Sequence, residues 1–335
     1  MKVDAGLNAT LAAVPDTIRA LEARGYDAAI TTETGHDPFL PLLLAAEHSE
    51  RIGLMTSIAV AFARNPMNTA MLAHDLNAYS RGRFILGLGS QIKPHVTKRF
   101  SMPWSSPAAR MREFVLAVRA IWANWYEAQP LDFRGEFYTH TLMTPMFTPT
   151  DVEHGAPKVV LAAVGPLMTE TAGEVADGVI AHAFTTRRYL EETTLPAIER
   201  GLARAGRGRR DFEVCYPGFI VTGADEEAFA RSRRAVCKQI AFYGSTPAYR
   251  PVLETHGWGE LQGELNAMSK RGQWDEMGAL ISDEILDEFA VVGEPREIAP
   301  RLLERWGSLV DRLALDLPFL SEDERGRVIA ELRAA

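Results

Sequence analysis

The residues best suited to chemistry stand where short apolar runs end. Glu33-Thr34-Gly35-His36-Asp37-Pro38 follows the run Ala28-Ala29-Ile30 and sets a carboxylate, a hydroxyl and an imidazole close together. Such a group can move a proton or fix a substrate by hydrogen bonds. Asp37 reads best as the cap of a helix beginning at Pro38. Glu33 could bind backbone instead, but Glu33 and His36 are the candidate acid–base residues. Val164-Gly165-Pro166 follows the run Lys158–Ala163 and opens a helix. A glycine before proline at a helix start leaves backbone N–H groups free to face an anion. His182, after Gly178–Ala181, either lines a site or packs in the core.

Metal chemistry finds no support. His36, His48, His74, His95, His140, His154, His182 and His256 show neither His-x-His nor His-Glu-x-x-His spacing. Cys215 and Cys237 lack ligand spacing and suit a reducing compartment.

The elements that must position these residues alternate. Strands are expected at 3–7, 28–32, 51–60, 84–88, 158–163, 178–181, 212–221 and 312–317. Helices are expected at 41–48, 65–79, 188–205, 226–243 and 297–306, with Asn65 capping and Pro66 at the first helical position. Met111, Phe114, Val115, Val118, Ile121, Trp122 and Trp125 fall on one face of a further helix. The common face makes that stripe core packing rather than a cofactor box. Eight βα repeats imply an α/β fold, a closed (β/α)8 TIM barrel whose functional residues cluster at the C-terminal ends of the strands. Residues 1–335 then form one domain. Two interruptions, at about 130–157 and 244–284, are expected as insertions capping that end. The first contains a short hairpin at 133–138, and both are read as otherwise irregular.

Composition narrows the partners. The chain has 335 residues, 47% of them hydrophobic, and a formal charge of 36 − 44 = −8. That excludes a disordered chain and argues against nucleic acid as the main partner. The basic cluster Arg204–Arg210 lies among glycines and is expected to be a solvated loop. No leader-like opening or membrane-length apolar run is present, so a cytoplasmic protein acting on a small molecule is expected.

One ordered set of motifs is more specific. Arg64-Asn65-Pro66 is followed by Ser80-Arg81-Gly82-Arg83 and then Leu86-Gly87-Leu88-Gly89. In this order the chain resembles the luciferase-like superfamily of flavin- and deazaflavin-dependent oxidoreductases, over about residues 3–319. Glu33–Phe39 and Phe137–Pro145 bring it closest to the coenzyme F420-dependent branch.

The resemblance implies a bulge in the third strand with a non-prolyl cis peptide at Ser57-Ile58. That bulge, with Ala59, would back the cofactor ring, and Gly89, Ser90 and Gln91 would lie beside it. It also implies that Val164, Gly165 and Pro166 hold the cofactor phosphate and that His182 stands at the cofactor rim. Val164 replaces a second glycine often found in the superfamily. Glu33-Thr34 replaces the Asp-His pair of the sugar-phosphate dehydrogenases in this branch, and Ser90-Gln91-Ile92 replaces their glutamate. Their substrate does not carry over, and His36 could replace the missing imidazole. The implied activity is hydride transfer between coenzyme F420 and a small organic substrate, in a homodimer. An FMN-dependent monooxygenase and a non-catalytic flavin-binding protein are the alternatives. Trp104, Phe137, Tyr138, Met143 and Phe147 either wall an apolar substrate pocket or pack inside a lid.

Overall fold

The computed structural model describes all of residues 1–335. The apolar runs form eight strands: β1 (Lys2–Gly6), β2 (Ala28–Thr31), β3 (Gly53–Thr56, resuming at Ala59–Val60), β4 (Phe84–Gly89), β5 (Lys158–Ala163), β6 (Gly178–Ala181), β7 (Glu213–Pro217) and β8 (Arg312–Ala314). Their order in the sheet is β3-β2-β1-β8-β7-β6-β5-β4, and β4 pairs back to β3, so the sheet closes into the expected (β/α)8 barrel. The pairings β1–β2, β2–β3, β3–β4, β4–β5 and β7–β8 are parallel. No helix is long and apolar enough to cross a membrane.

By packing, the chain divides into two compact units. The first comprises residues 4–180 and 197–213. Its helix Pro107–Glu127 buries Met111, Phe114, Val115, Val118, Ile121, Trp122 and Trp125, as the periodicity required. Arg83, which closes the Ser80–Arg83 turn, donates to the carbonyls of Ser80, Ile52, Ser49 and Ala46. It therefore ties the end of helix Phe39–Glu47 to the end of helix Pro66–Tyr79, a structural task. Asp177, in the Ala-Asp-Gly turn, accepts from the Val159 amide at 2.8 Å and from Arg119 at 2.9 Å. Within the basic cluster, Arg204 pairs with Glu170 at 2.5 Å and Arg207 donates to the Ala176 carbonyl at 2.6 Å. These two arginines are thus tethered rather than simply solvated. The expected hairpin is present as Phe133–Arg134 against Thr139–His140.

The second unit comprises residues 1–3, 181–196 and 214–335. Asp311 begins β8 by accepting from the Val214 amide at 2.7 Å, much as Asp177 begins β6. Beyond β7 the chain forms a small parallel sheet, Phe219–Val221 with Ala290–Val292. Residues 244–284, expected to be irregular, are largely helical, with helices Arg250–Glu254 and Gly259–Lys270, followed by Asp283–Phe289. Val252, Leu253, Leu265 and Met277 from this segment are buried against Ile240, Ala241 and Phe289. The apolar residues that looked unpatterned in sequence thus form a core with helix Glu226–Gly244. Cys215 and Cys237 are free and buried.

Candidate functional site

The first unit carries the strand-end site, built around an irregularity in β3. Met55 pairs with Ile85, yet Ala59 pairs with Leu88 and Val60 with Gly89. Residues 56–58 therefore stand opposite residues 86–87 alone, which is a one-residue bulge. The Ser57-Ile58 peptide bond within it is cis. Where the ladder is interrupted, the buried Thr56 hydroxyl takes over: it donates to the Gly87 carbonyl at 2.7 Å and accepts from the Gly87 amide at 2.9 Å. Gly87 and Gly89 make room for the bulge. A Cβ on Gly87 would fall into the Thr56 carbonyl, and one on Gly89 would come within 2.8 Å of the Ile58 side chain.

The end of β2 grips the bulge from the other side. Thr31 accepts from the Ser57 amide at 2.6 Å, the Thr32 hydroxyl donates to the Ser57 carbonyl at 3.0 Å, and the Glu33 amide donates to the Ile58 carbonyl at 3.2 Å. The Glu33 carboxylate is buried; its Oε2 accepts from the Val60 amide at 2.7 Å and from Arg64 Nη1 at 2.5 Å. Arg64 also pairs with Asp37 at 3.1 Å and lies over the Phe39 ring, 5.2 Å from its centroid. Asp37 Oδ1 accepts from the Phe39 amide at 2.9 Å, in keeping with a role at the helix start.

Glu33, Arg64 and Asp37 thus form one charged cluster across 31 positions of sequence. Glu33 does bind backbone here. His36 lies exposed in the turn between Glu33 and Asp37 and makes no hydrogen bond. Arg64 stood out in the sequence only as part of a motif; its partners are what the structure adds.

Ser90 and Gln91 follow β4 directly. Gln91 adopts a left-handed backbone with φ 57°, and its side chain accepts from the Ile92 amide at 3.0 Å. That conformation is uncommon for a residue other than glycine. After β5, Gly165 is extended and Pro166 opens the helix Pro166–Val175. The Thr169 hydroxyl donates to the Gly165 carbonyl at 3.0 Å, and the space a Cβ on Gly165 would enter is open. The first N–H groups of such a helix have no intrahelical acceptor. Trp104 packs edge-on against Phe62, and Tyr138 against Phe114, whereas Phe147 is 69% exposed. Arg110 lies over both the Phe62 and the Tyr138 rings, so Trp104 and Tyr138 belong to one packed cluster.

His182 belongs to the second unit, among Tyr243, Tyr249 and Phe184. Its Nδ1 accepts from the Phe184 amide at 3.0 Å, which leaves the proton on Nε2, facing the Tyr249 hydroxyl at 3.2 Å. Burial lowers the imidazole from its ordinary 6.5 to about 4 and raises the Tyr249 phenol to about 12. Folded protein therefore holds His182 neutral at pH values where the unfolded chain protonates it. Its contribution to stability is complete above pH 6.5 and is lost as pH falls toward 4, by about 3 kcal/mol in all. Denaturation measured across that range should show this loss in the native protein and a shallower one in His182→Gln. Equal pH slopes would show that the ring is not held neutral.

Comparison with known proteins shows what the chain is similar to. A family model described as luciferase-like monooxygenase matches residues 2–312. An uncharacterized protein of Mycobacterium tuberculosis is 56% identical over 313 residues, covering 93% of this chain and 92% of its own. The 5,10-methylenetetrahydromethanopterin reductase of Archaeoglobus fulgidus is 28% identical over 296 residues, covering 86% of this chain and 84% of its own. Among solved structures, the coenzyme F420-dependent tetrahydromethanopterin reductase of Methanopyrus kandleri matches with a TM-score of 0.79 at 21% identity, over 99% of this chain and 96% of that one. That last likeness shows the shared barrel.

Proposed function

The chain belongs to the luciferase-like monooxygenase family, and from that premise we propose that it transfers a hydride between coenzyme F420 and a small organic substrate. The observation that carries this reading is the match, over most of the chain, to a methylenetetrahydromethanopterin reductase, together with the F420-dependent reductase sharing the fold. Gly87 and Gly89 make room for the β3 bulge, against which the flat ring would lie.

Ser57, Ile58 and Ala59 would back that ring, with Gly89, Ser90 and Gln91 beside it. Val164, Gly165 and Pro166 would hold the cofactor phosphate, on the side where Gly165 leaves open space. His182 is assigned to the cofactor rim. The deazaflavin supplies the hydride chemistry, while the protein binds, orients and excludes water. Arg64 holds the Glu33 carboxylate in place, and Glu33 fixes the bulge through the Ile58 carbonyl and the Val60 amide. Glu33 or His36 supplies or accepts the accompanying proton. Full turnover in both Glu33→Gln and His36→Ala would remove that assignment.

The test of the cofactor is a titration with coenzyme F420 and with FMN, each oxidised and reduced, followed by ring absorbance or fluorescence. Micromolar binding of F420 and none of FMN is expected. Preference for FMN would favour the second reading, a flavin monooxygenase, which the family's description supports. Binding of neither would overturn both.

The proposal includes a homodimer. Leu40, Leu43, Met71, Leu72 and Tyr79 are 38–54% exposed on two helices that pack together, an apolar concentration that suits an interface. Light scattering should give twice the chain mass, and Leu43→Glu with Met71→Glu should halve it. A monomeric native protein would refute the assembly.

A further inference from the structure

Arg110 lies in the first turn of the helix Pro107–Glu127 and is only 8% exposed. Its guanidinium reaches back past the helix start, where Nη1 donates to the Pro103 carbonyl at 2.8 Å. Nε donates to the Tyr138 hydroxyl at 3.0 Å. The Phe62 and Tyr138 rings lie against it, their centroids 5.0 and 5.7 Å from Cζ. All of these partners are neutral. Glu113, one turn further along, gives its carboxylate to the amides of Glu136, Phe137 and Tyr138, and no carboxylate pairs with Arg110. Nη2 has no hydrogen-bond partner, yet it is not sealed from solvent. Buried charges are ordinarily paired, so the missing counter-ion is the feature to explain.

Phe62 follows the end of β3 by two residues, and Pro103 lies between β4 and the helix, so the guanidinium stands at the C-terminal ends of β3 and β4. That end also carries the bulge and the Glu33–Arg64 pair. The surrounding segment is unlike the rest of the chain. Residues 90–112 contain Lys93, Lys98, Arg99, Arg110 and Arg112 and no acidic residue, whereas the whole chain carries −8. Arg112 is neutralised by Glu174. Lys93 and Lys98 are exposed, so the local field draws anions toward these strand ends.

We propose that Arg110 is an anion-binding residue of the site, and that its Nη2 donates to a carboxylate or phosphate oxygen of the substrate. With Nε and Nη1 fixed on neutral acceptors, the guanidinium is held in one orientation, and the incoming anion supplies the missing counter-charge. The substrate class that follows is an organic acid or a phosphate ester. Assigning the anion to the substrate rests on the hydride-transfer reading, but the anion site itself does not.

Benzoate, phenyl phosphate and benzamide are suitable probes, benzamide being the uncharged match of benzoate. In calorimetric titration of the native protein without cofactor, at least one of the two anions should bind about tenfold more tightly than benzamide, the effect of a hydrogen bond to a charged group. Added salt should narrow that gap. Arg110→Met should abolish the preference and leave benzamide binding as it was. Arg110→Lys keeps a charge at the position, which covers the case in which Arg110→Met does not fold. It should still weaken the favoured anion several-fold, because the planar fork is lost. No preference in the native protein, or an undiminished anion affinity in Arg110→Lys, would overturn the site, whatever the F420 titration gives. The source of the anion is read by repeating that titration with Arg110→Lys. Unchanged F420 affinity is expected and leaves the anion to the substrate. A loss of about tenfold would give the guanidinium to the cofactor's phosphate and overturn the substrate assignment.

Discussion

Gly87→Ala is expected to leave little folded protein. Gly87 lies within β4, paired with Val160 of β5, while its amide and carbonyl are both bonded to the Thr56 hydroxyl. The atom that a new Cβ would strike is the Thr56 carbonyl oxygen, part of the backbone. A clash with a side-chain tip can be relieved by rotation, but this one requires two barrel strands to part. Side-chain overpacking costs about 1–3 kcal/mol; a backbone clash here should exceed that, against a typical total stability of about 5–15 kcal/mol. The control is Gly165→Ala, whose Cβ meets open space and whose backbone is extended. Soluble yield and denaturation midpoint should collapse for the first variant and hold for the second. A Gly87→Ala protein with a native midpoint would mean that β3 and β4 do not approach so closely.

Arg64→Met should have the next largest effect. It strands the Glu33 carboxylate, which is 8% exposed and keeps only the Val60 amide as a partner for Oε2. Removing one partner of a buried pair costs about 3–5 kcal/mol. Glu33→Gln should be milder, because its amide oxygen can still accept from Val60 and Arg64 keeps Asp37 at 3.1 Å. The double variant should therefore be more stable than Arg64→Met alone. Denaturant titrations of all four proteins supply the cycle, and a loss below about 1 kcal/mol for Arg64→Met would remove the structural role given to the pair. Since Glu33 grips the bulge, Arg64→Met should also weaken cofactor binding more than its stability loss alone explains.

Much of this arrangement was legible in the sequence, and what was missed has a common cause. All eight strands announce themselves as short apolar runs, and the turn at Arg83 and the glycines of β4 are local signals. The helix stripe ending in Trp122 and Trp125 was readable because periodicity is also local. By contrast, the Glu33–Arg64 pair, the Thr56–Gly87 exchange and the His182–Tyr249 contact join residues 31, 31 and 67 positions apart. No spacing rule reports such meetings. The helices of 244–284 were missed for a related reason. Their buried apolar residues are few in each helix, Val252 and Leu253 in one and Leu265 in the next, and pack on the preceding helix Glu226–Gly244 without repeating along one long face.

The bulge in β3 also changes the phase of the strand. Leu54 pairs with Phe84 and Ala59 with Leu88, and residues 84 and 88 lie on one face of an uninterrupted strand. Leu54 and Ala59 therefore share a face although an odd number of steps separates them, which regular alternation forbids. What residues 56–58 encode is thus partly their number. Losing any one of them would restore regular alternation and leave Ala59 and Val60 opposite Leu88 and Gly89, but it would remove the bulge that Thr31, Thr32 and Glu33 grip. Side chains there can vary within limits of size, but the count of residues cannot.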